Sequence, residues 1–298
     1  NGLFIFSPTY DYNKGYQRLG DIGLFHQNRN FIEYSDQEYV LLCKSYYVGN
    51  IDFRALFERY LESKAEIGIV YKRVDDFERR FIGADRISID ENGHFKSIGT
   101  NLGMSDRFHL SMEMYFFKKV LFLQLLSDAV EAGEHNFMKQ VLLDAFNRYK
   151  VQPIEYLGSM YSINNVKNYY DANMHTLNPE QAHELFYRKG QIFTKVKDEP
   201  STFYGPNAQV RNSFVANGCR IEGFVENSIL FRGVRIGKGC IVRNSIIMQK
   251  TTVEENSHLN YVVLDKRSLV KSSVTLIGDP SSPFIGGKKA IITREGFR

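Results

Sequence analysis

Val225-Glu226-Asn227-Ser228-Ile229-Leu230-Phe231-Arg232-Gly233-Val234-Arg235-Ile236-Gly237-Lys238-Gly239-Cys240-Ile241-Val242-Arg243-Asn244-Ser245-Ile246-Ile247 decides the fold of the C-terminal third of the chain. Aliphatic residues recur in it, and beyond it, at a fixed spacing of 17: Val225, Val242 and Leu259; Leu230, Ile247 and Leu264; Ile236, Val253 and Val270. Within one coil the aliphatic positions step by 6, 6 and 5 residues. Turn-forming groups fall between them, at Gly237-Lys238-Gly239, Arg243-Asn244-Ser245 and Glu255-Asn256-Ser257. Three short sides per coil, each pointing one aliphatic residue inward to stack on the next coil, describe a parallel solenoid. A β-sandwich of short strands is the alternative, but its strands do not hold one phase over successive rungs. The repeat predicts a solenoid over residues 204–298.

Upstream the pattern changes. Tyr39–Cys43 reads as a buried strand, Phe53–Lys64 as an amphipathic helix and Glu66–Tyr71 as the next strand. Arg86–Ile89 and Phe95–Ile98 flank a turn at Glu91-Asn92-Gly93, as a hairpin does. Met112–Phe117 is a strand, and Lys118–Glu131 and Phe137–Tyr149 are helices. Strands separated by helices imply an α/β domain, taken as residues 1–178, with a helical stretch at Asn165–Asn178 and a linker over 179–203. The chain opens in a strand-like run, Leu3-Phe4-Ile5-Phe6, without a Met. That run reads as the middle of a domain whose N-terminal part lies upstream.

Composition narrows the class. Hydrophobic residues make up 43% and charged residues 24% of 298, an ordinary globular balance. A net charge of +4, scattered along the sequence, lacks the concentrated footprint of a nucleic-acid binder and suits phosphorylated metabolites. The three cysteines, Cys43, Cys219 and Cys240, form neither a CxxC pair nor a disulfide framework. The most apolar run, Val120–Leu126, is too short to span a bilayer and holds Gln124. With no secretory signal visible, the expected compartment is the cytoplasm.

Three further segments carry a family resemblance. Gly20-Asp21-Ile22-Gly23-Leu24-Phe25-His26-Gln27-Asn28 is similar to a GTADA-type loop followed by Gln, and Leu110-Ser111-Met112-Glu113-Met114-Tyr115-Phe116-Phe117 to an ASMGIYVF-type strand. Tyr169-Tyr170-Asp171-Ala172-Asn173-Met174 is similar to the segment leading out of the catalytic domain. In this order, and followed by a solenoid, they resemble bacterial glucose-1-phosphate adenylyltransferase (ADP-glucose pyrophosphorylase). The resemblance implies a Rossmann-like nucleotidyltransferase domain, lacking its N-terminal part here, followed by a left-handed parallel β-helix of hexapeptide repeats.

It also exposes what has changed. Transfer of a nucleotidyl group needs a metal ion to neutralise charge on the displaced diphosphate, and Mg²⁺ takes hard oxygen ligands. The family supplies two aspartates, in SGDHLYRMDY-type and YWEDVG-type motifs. Here Lys44-Ser45-Tyr46 puts Tyr46 at the first, and Met160-Tyr161-Ser162 puts Ser162 at the second. The FVEKP-type sugar-phosphate strand matches Ile98-Gly99-Thr100-Asn101-Leu102, without its Glu or Lys. The family's N-terminal glycine-rich phosphate loop has no counterpart in the sequence. No catalytic residue, metal ligand or cofactor is therefore expected on this chain, Mg²⁺ being used by a catalytic partner.

Gly20 and Ser111 are the residual substrate-cleft positions that the resemblance implies; read by themselves, Gly20 permits a turn and Ser111 ends a strand. The implied role is that of a regulatory, catalytically deficient subunit, assembling with the catalytic subunit in a hetero- or homo-oligomer and answering to a phosphorylated metabolite. One alternative is an active nucleotidyltransferase using Asp52 or Asp171. Another is a hexapeptide acyltransferase using His258. Gly286-Gly287-Lys288-Lys289 could hold an anion or be a solvated turn, and Glu131, Glu134 and His135 read as a helix end and loop.

Overall fold

A computed structural model describes residues 2–6, 20–76, 80–133, 138–190, 192–193 and 197–297. It divides into two compact units, one of residues 1–45 with 52–157, the other of 46–51 with 158–298. In chain order the elements before the solenoid are α1 (Asp21–Gln27), α2 (Arg29–Glu33), β1 (Tyr39–Cys43), β2 (Tyr47–Val48), α3 (Phe53–Ser63), β3 (Ile67–Asp75), β4 (Asp85–Ile89) and β5 (Phe95–Thr100). They continue with β6 (Arg107–Lys118), α4 (Lys119–Glu131), α5 (Met138–Ala145), β7 (Val151–Glu155), β8 (Tyr161–Ser162), α6 (Val166–His175) and α7 (Pro179–Phe186). Glu134, His135 and Phe137 lie outside the described residues.

The first unit is built on β6. It pairs antiparallel with β3 along one edge, and with β4 and then β1 along the other, while β7 joins β3 in parallel. Side chains alternate across a strand, so neighbours on β6 serve opposite faces. Phe117 packs with Phe122, Leu125 and Leu142 from α4 and α5, whereas Phe116 stacks on Tyr60 of α3 at 5.5 Å. Helices therefore cover both faces, as the strand–helix alternation predicts. Gly68 makes room for this packing: a Cβ there would stand 2.8 Å from Tyr60 Cδ2. Burial, with Tyr39 and Glu66 nearby, pushes the Tyr60 phenol up to about 12, and its hydroxyl donates to Glu66 O.

The second unit contains the solenoid. Val225, Val242 and Leu259 pair in parallel register, as do Leu230, Ile247 and Leu264, and Ile236, Val253 and Val270. All nine lie in one buried core. The 17-residue period does not hold at every coil. Val210 pairs with Val225, a step of 15, and Val270 with Ile292, a step of 22 that takes in the Asp279–Ser282 turn. Neither variant disturbs the inward residues, because each changes the length of a corner and not of a side.

Corners are held by their own ladders. Asn212, Asn227, Asn244 and Tyr261 have positive φ, which lets the chain bend sharply. Inside them Ser228 Oγ accepts from Ser245 N, and Ser245 Oγ accepts from Val262 N while donating to Arg243 O. The outward residues Ile246 and Val263 would be exposed apolar surface, but Tyr170 of α6 covers them and donates its hydroxyl to Asn244 O at 2.7 Å. Burial first, then Tyr261 and Asp171, raises the Tyr170 phenol's pKa. Residues 165–178, read from sequence as the end of the α/β domain, thus pack on the solenoid, and α7 runs through the stretch read as linker.

Ser245→Ala leaves the buried Val262 N–H without its acceptor. We expect a loss of about 1–3 kcal/mol in the chemical unfolding of the solenoid followed by circular dichroism. Arg235→Ala, on the exposed side of its strand, should change it by less than about 0.5 kcal/mol.

Candidate functional site

Tyr46 and Ser162 are far apart in sequence and adjacent in space. β2 and β8 form a two-stranded antiparallel ladder in which Tyr47 faces Ser162 and Val48 faces Tyr161. Ile163 N donates to Tyr46 O at 2.7 Å, which extends the ladder by one step. The Tyr46 and Tyr47 rings pack at 4.6 Å. The ladder joins the two segments, with Tyr46 across from Ile163 and Ser162 across from Tyr47, and the side chains at the two positions are a phenol and a hydroxyl. Neither is ionised at neutral pH, and both are poor ligands for a hard divalent cation. The donor set does not fit Mg²⁺. Among the described residues, no three His, Cys, Asp or Glu side chains are grouped so as to hold a metal ion.

The alternative carboxylates are already engaged. Asp52 is the N-cap of α3, where Oδ1 accepts from Ala55 N at 3.0 Å. Asp171 is ion-paired with Lys167, one helical turn before it. The segment Ile98-Gly99-Thr100-Asn101-Leu102 is held by structural contacts. Asn101 is buried, its Nδ2 donating to Phe81 O and its Oδ1 accepting from Gly103 N, so it closes two turns. Thr100 lies beside Lys139, which pairs with Asp85.

Gly20 and Ser111 both lie in the first unit, and a small ion cluster links their surroundings. Gly20 precedes α1 at φ −78°, a conformation open to any residue, so the turn does not require a glycine. Ser111 does not end a strand. β6 starts earlier, at Arg107, and Ser111 is fully buried at a bulge, with Oγ accepting from Glu113 N at 3.2 Å. Lys44 Nζ stands 3.0 Å from Asp21 Oδ2, next to Gly20, and 3.9 Å from Glu113 Oε2, two residues past Ser111.

The solenoid gathers charges that look scattered in the sequence. Arg232, Gln249 and Lys266 are 17 residues apart, as are Gly233, Lys250 and Arg267, so successive coils stack them at one corner. Lys250 N donates to Arg232 O, Arg267 N to Gln249 O, and Lys289 N to Lys266 O. A cavity of about 310 Å³ lies there, lined by Lys197, Glu199, Arg232, Gln249, Lys250, Lys266 and Arg267. The aliphatic repeat already contained this signal, since any position carried along by 17 falls on one line. The Gly286–Lys289 turn belongs to the same corner.

His258 lies on the exposed side of its strand, between Ile241 and Thr275 of the neighbouring coils. The buried Cys219 and Cys240 donate to Phe231 O and Glu254 O, and burial pushes both thiols up, which keeps them protonated and unreactive. None of the described helices is long and apolar enough to cross a membrane.

Residues 200–282 match the family described as GlmU-like, C-terminal hexapeptide. Over 285 residues the chain is 30% identical to glycogen biosynthesis protein GlgD of Bacillus subtilis (strain 168), covering 96% of this chain and 72% of that protein. It is 34% identical over 242 residues to GlgD of Geobacillus stearothermophilus, covering 81% and 60%. To glucose-1-phosphate adenylyltransferase of Desulfitobacterium hafniense (strain Y51) it is 25% identical over 281 residues, covering 93% and 70%. The chain spans between 60% and 72% of the length of these three relatives.

Putting Asp at both Tyr46 and Ser162 should create a Mg²⁺ site. The double variant is expected to gain about 1.4 kcal/mol of stability at Mg²⁺ tenfold above its Kd, measured by thermal unfolding, while each single variant gains nothing resolvable.

Proposed function

We propose that this chain, which belongs to the bacterial glucose-1-phosphate adenylyltransferase family of glycogen biosynthesis, is a regulatory subunit without catalytic chemistry of its own. The observation that carries the reading is the ladder joining the segments of Tyr46 and Ser162, positions at which the family has metal-binding aspartates. Attack of glucose 1-phosphate on ATP, giving ADP-glucose and diphosphate, builds charge that a metal must offset. That Mg²⁺ is held by the catalytic subunit, and this chain acts by assembling with it in the cytoplasm.

Such a role requires no reaction here. A partner biases an enzyme whenever its contacts differ between two states of that enzyme, and by no more than that difference in free energy. The basic corner around Arg232, Lys250 and Lys266 supplies a place for a phosphorylated metabolite to alter those contacts. The acyltransferase alternative is not favoured, because His258 stands between Ile241 and Thr275 on the exposed side of its strand, and among the described residues no ion pair orients it.

The test is ADP-glucose formation from ATP and glucose 1-phosphate, measured for the full-length chain alone, for the catalytic subunit alone and for both together. We expect no Mg²⁺-dependent turnover from the chain alone, and a change in rate, substrate affinity or assembly size when the two are mixed. Turnover by the chain alone, or no change on mixing, would overturn the proposal. Lys250→Glu should weaken any phosphorylated effector's action about tenfold and leave assembly intact.

A further inference from the structure

Glu113 is out of place by every local rule. It lies in the middle of the longest strand of the first unit, where the register with β3 slips: Val70 faces Met114 and the next residue, Tyr71, faces Ser111. Met112 and Glu113 are thus extra on β6. Glu113 takes φ +48°, the left-handed region that glycine enters without cost and a glutamate seldom does. Nothing in the backbone calls for a side chain at this point. Strained residues of this kind persist where their surroundings hold them, and they cluster at functional sites.

What the side chain does is place a carboxylate. Its side chain is only 16% exposed, and its Oε2 faces Lys44 Nζ at 3.9 Å just beyond the carboxyl end of β1. Asp21, the first residue of α1, faces the same ammonium at 3.0 Å. Open α/β sheets bind their ligands in the crevice outside the carboxyl ends of such strands. Here a lysine stands just past that end of β1 between two carboxylates, and the three groups sum to a negative charge. A phosphate ester entering would meet repulsion from both acids and would have to take Lys44 from them.

We propose that Glu113 is a built-in plug, which holds Lys44 with Asp21 and so denies this lysine to phosphate monoesters. This is a second barrier to substrate, separate from the side chains at Tyr46 and Ser162. It rests on the preceding reading only in the choice of glucose 1-phosphate as one probe.

The experiment is titration calorimetry of the full chain with glucose 1-phosphate and, separately, inorganic phosphate. Glu113→Gly should bind both at least about tenfold more tightly than the unaltered chain. Glu113→Gln, which removes charge and keeps bulk, should recover part of that gain. Adding Lys44→Met to Glu113→Gly should abolish it. Equal affinity in the unaltered chain and Glu113→Gly overturns the plug, and so does a gain that survives Lys44→Met. If Glu113→Gly unfolds at a lower temperature, the Gln variant decides: a gain in affinity supports the proposal and none overturns it. Binding is read without turnover or a partner, so activity of the chain alone would defeat the regulatory reading while leaving this one to its own result.

Discussion

In the solenoid, everything follows from the phase of the coil. A residue's place along the repeat settles whether it enters the core, bends the chain at a corner or faces outward, and its equivalents one coil away share that fate. The core rows of Val225, Leu230 and Ile236 repeat because apolar area is buried only when the rows coincide. The same phase makes Ser228 and Ser245 bridge consecutive coils, so that hydrogen bonding and hydrophobic burial specify one register together. A slip of one residue would turn the core rows outward and break the serine ladder at once. The basic corner is a by-product of this constraint: charges at equivalent positions are forced into one line whether or not they attract.

The α/β unit depends on a looser rule, alternation along β6. Phe116 and Phe117 fix the two helical layers from opposite faces. Several side chains that the sequence offers for chemistry are held in turns, caps and ion pairs. Asn101 closes a turn, Asp52 begins a helix, Asp171 ties down a lysine and Ser111 supports a bulge. Each of these side chains therefore has a structural use in the fold.

How far the sequence could be read follows from the range of the interactions. The solenoid is periodic over short distances, so its rows were legible residue by residue from Val225 to Val270. The 15- and 22-residue steps were not, because insertions at corners leave the aliphatic pattern unaltered while shifting its count. β1 was readable to its ends, since a continuous apolar run bounded by polar residues has one interpretation. β6 was read from Met112, although it starts at Arg107, because its polar first half is paired through β3 and β4, which no local pattern announces. The affinity of α6 for the solenoid was hidden in the same way: it depends on Tyr170 meeting Ile246 and Val263. At the site, Tyr46 and Ser162 can be singled out in the sequence, but the ladder that joins their segments cannot. The left-handed backbone at Glu113 had no signal in the sequence.

On the proposed regulatory reading, these observations bear on how a chain can lose a reaction and keep its fold. Metal-dependent transfer relies on a few charged groups held against their own repulsion, which contribute little to folding and can oppose it. Packing relies on many weak contacts that no single replacement removes. Selection for assembly alone would preserve the second set and release the first. The released positions would then drift towards residues that stabilise their surroundings, as an aromatic pair at Tyr46–Tyr47 and an asparagine closing two turns do here. Surfaces used for contact would be kept on the elements that the core fixes most firmly. In this chain those elements are the coils of the solenoid, where the phase of the repeat leaves each outward residue a single position.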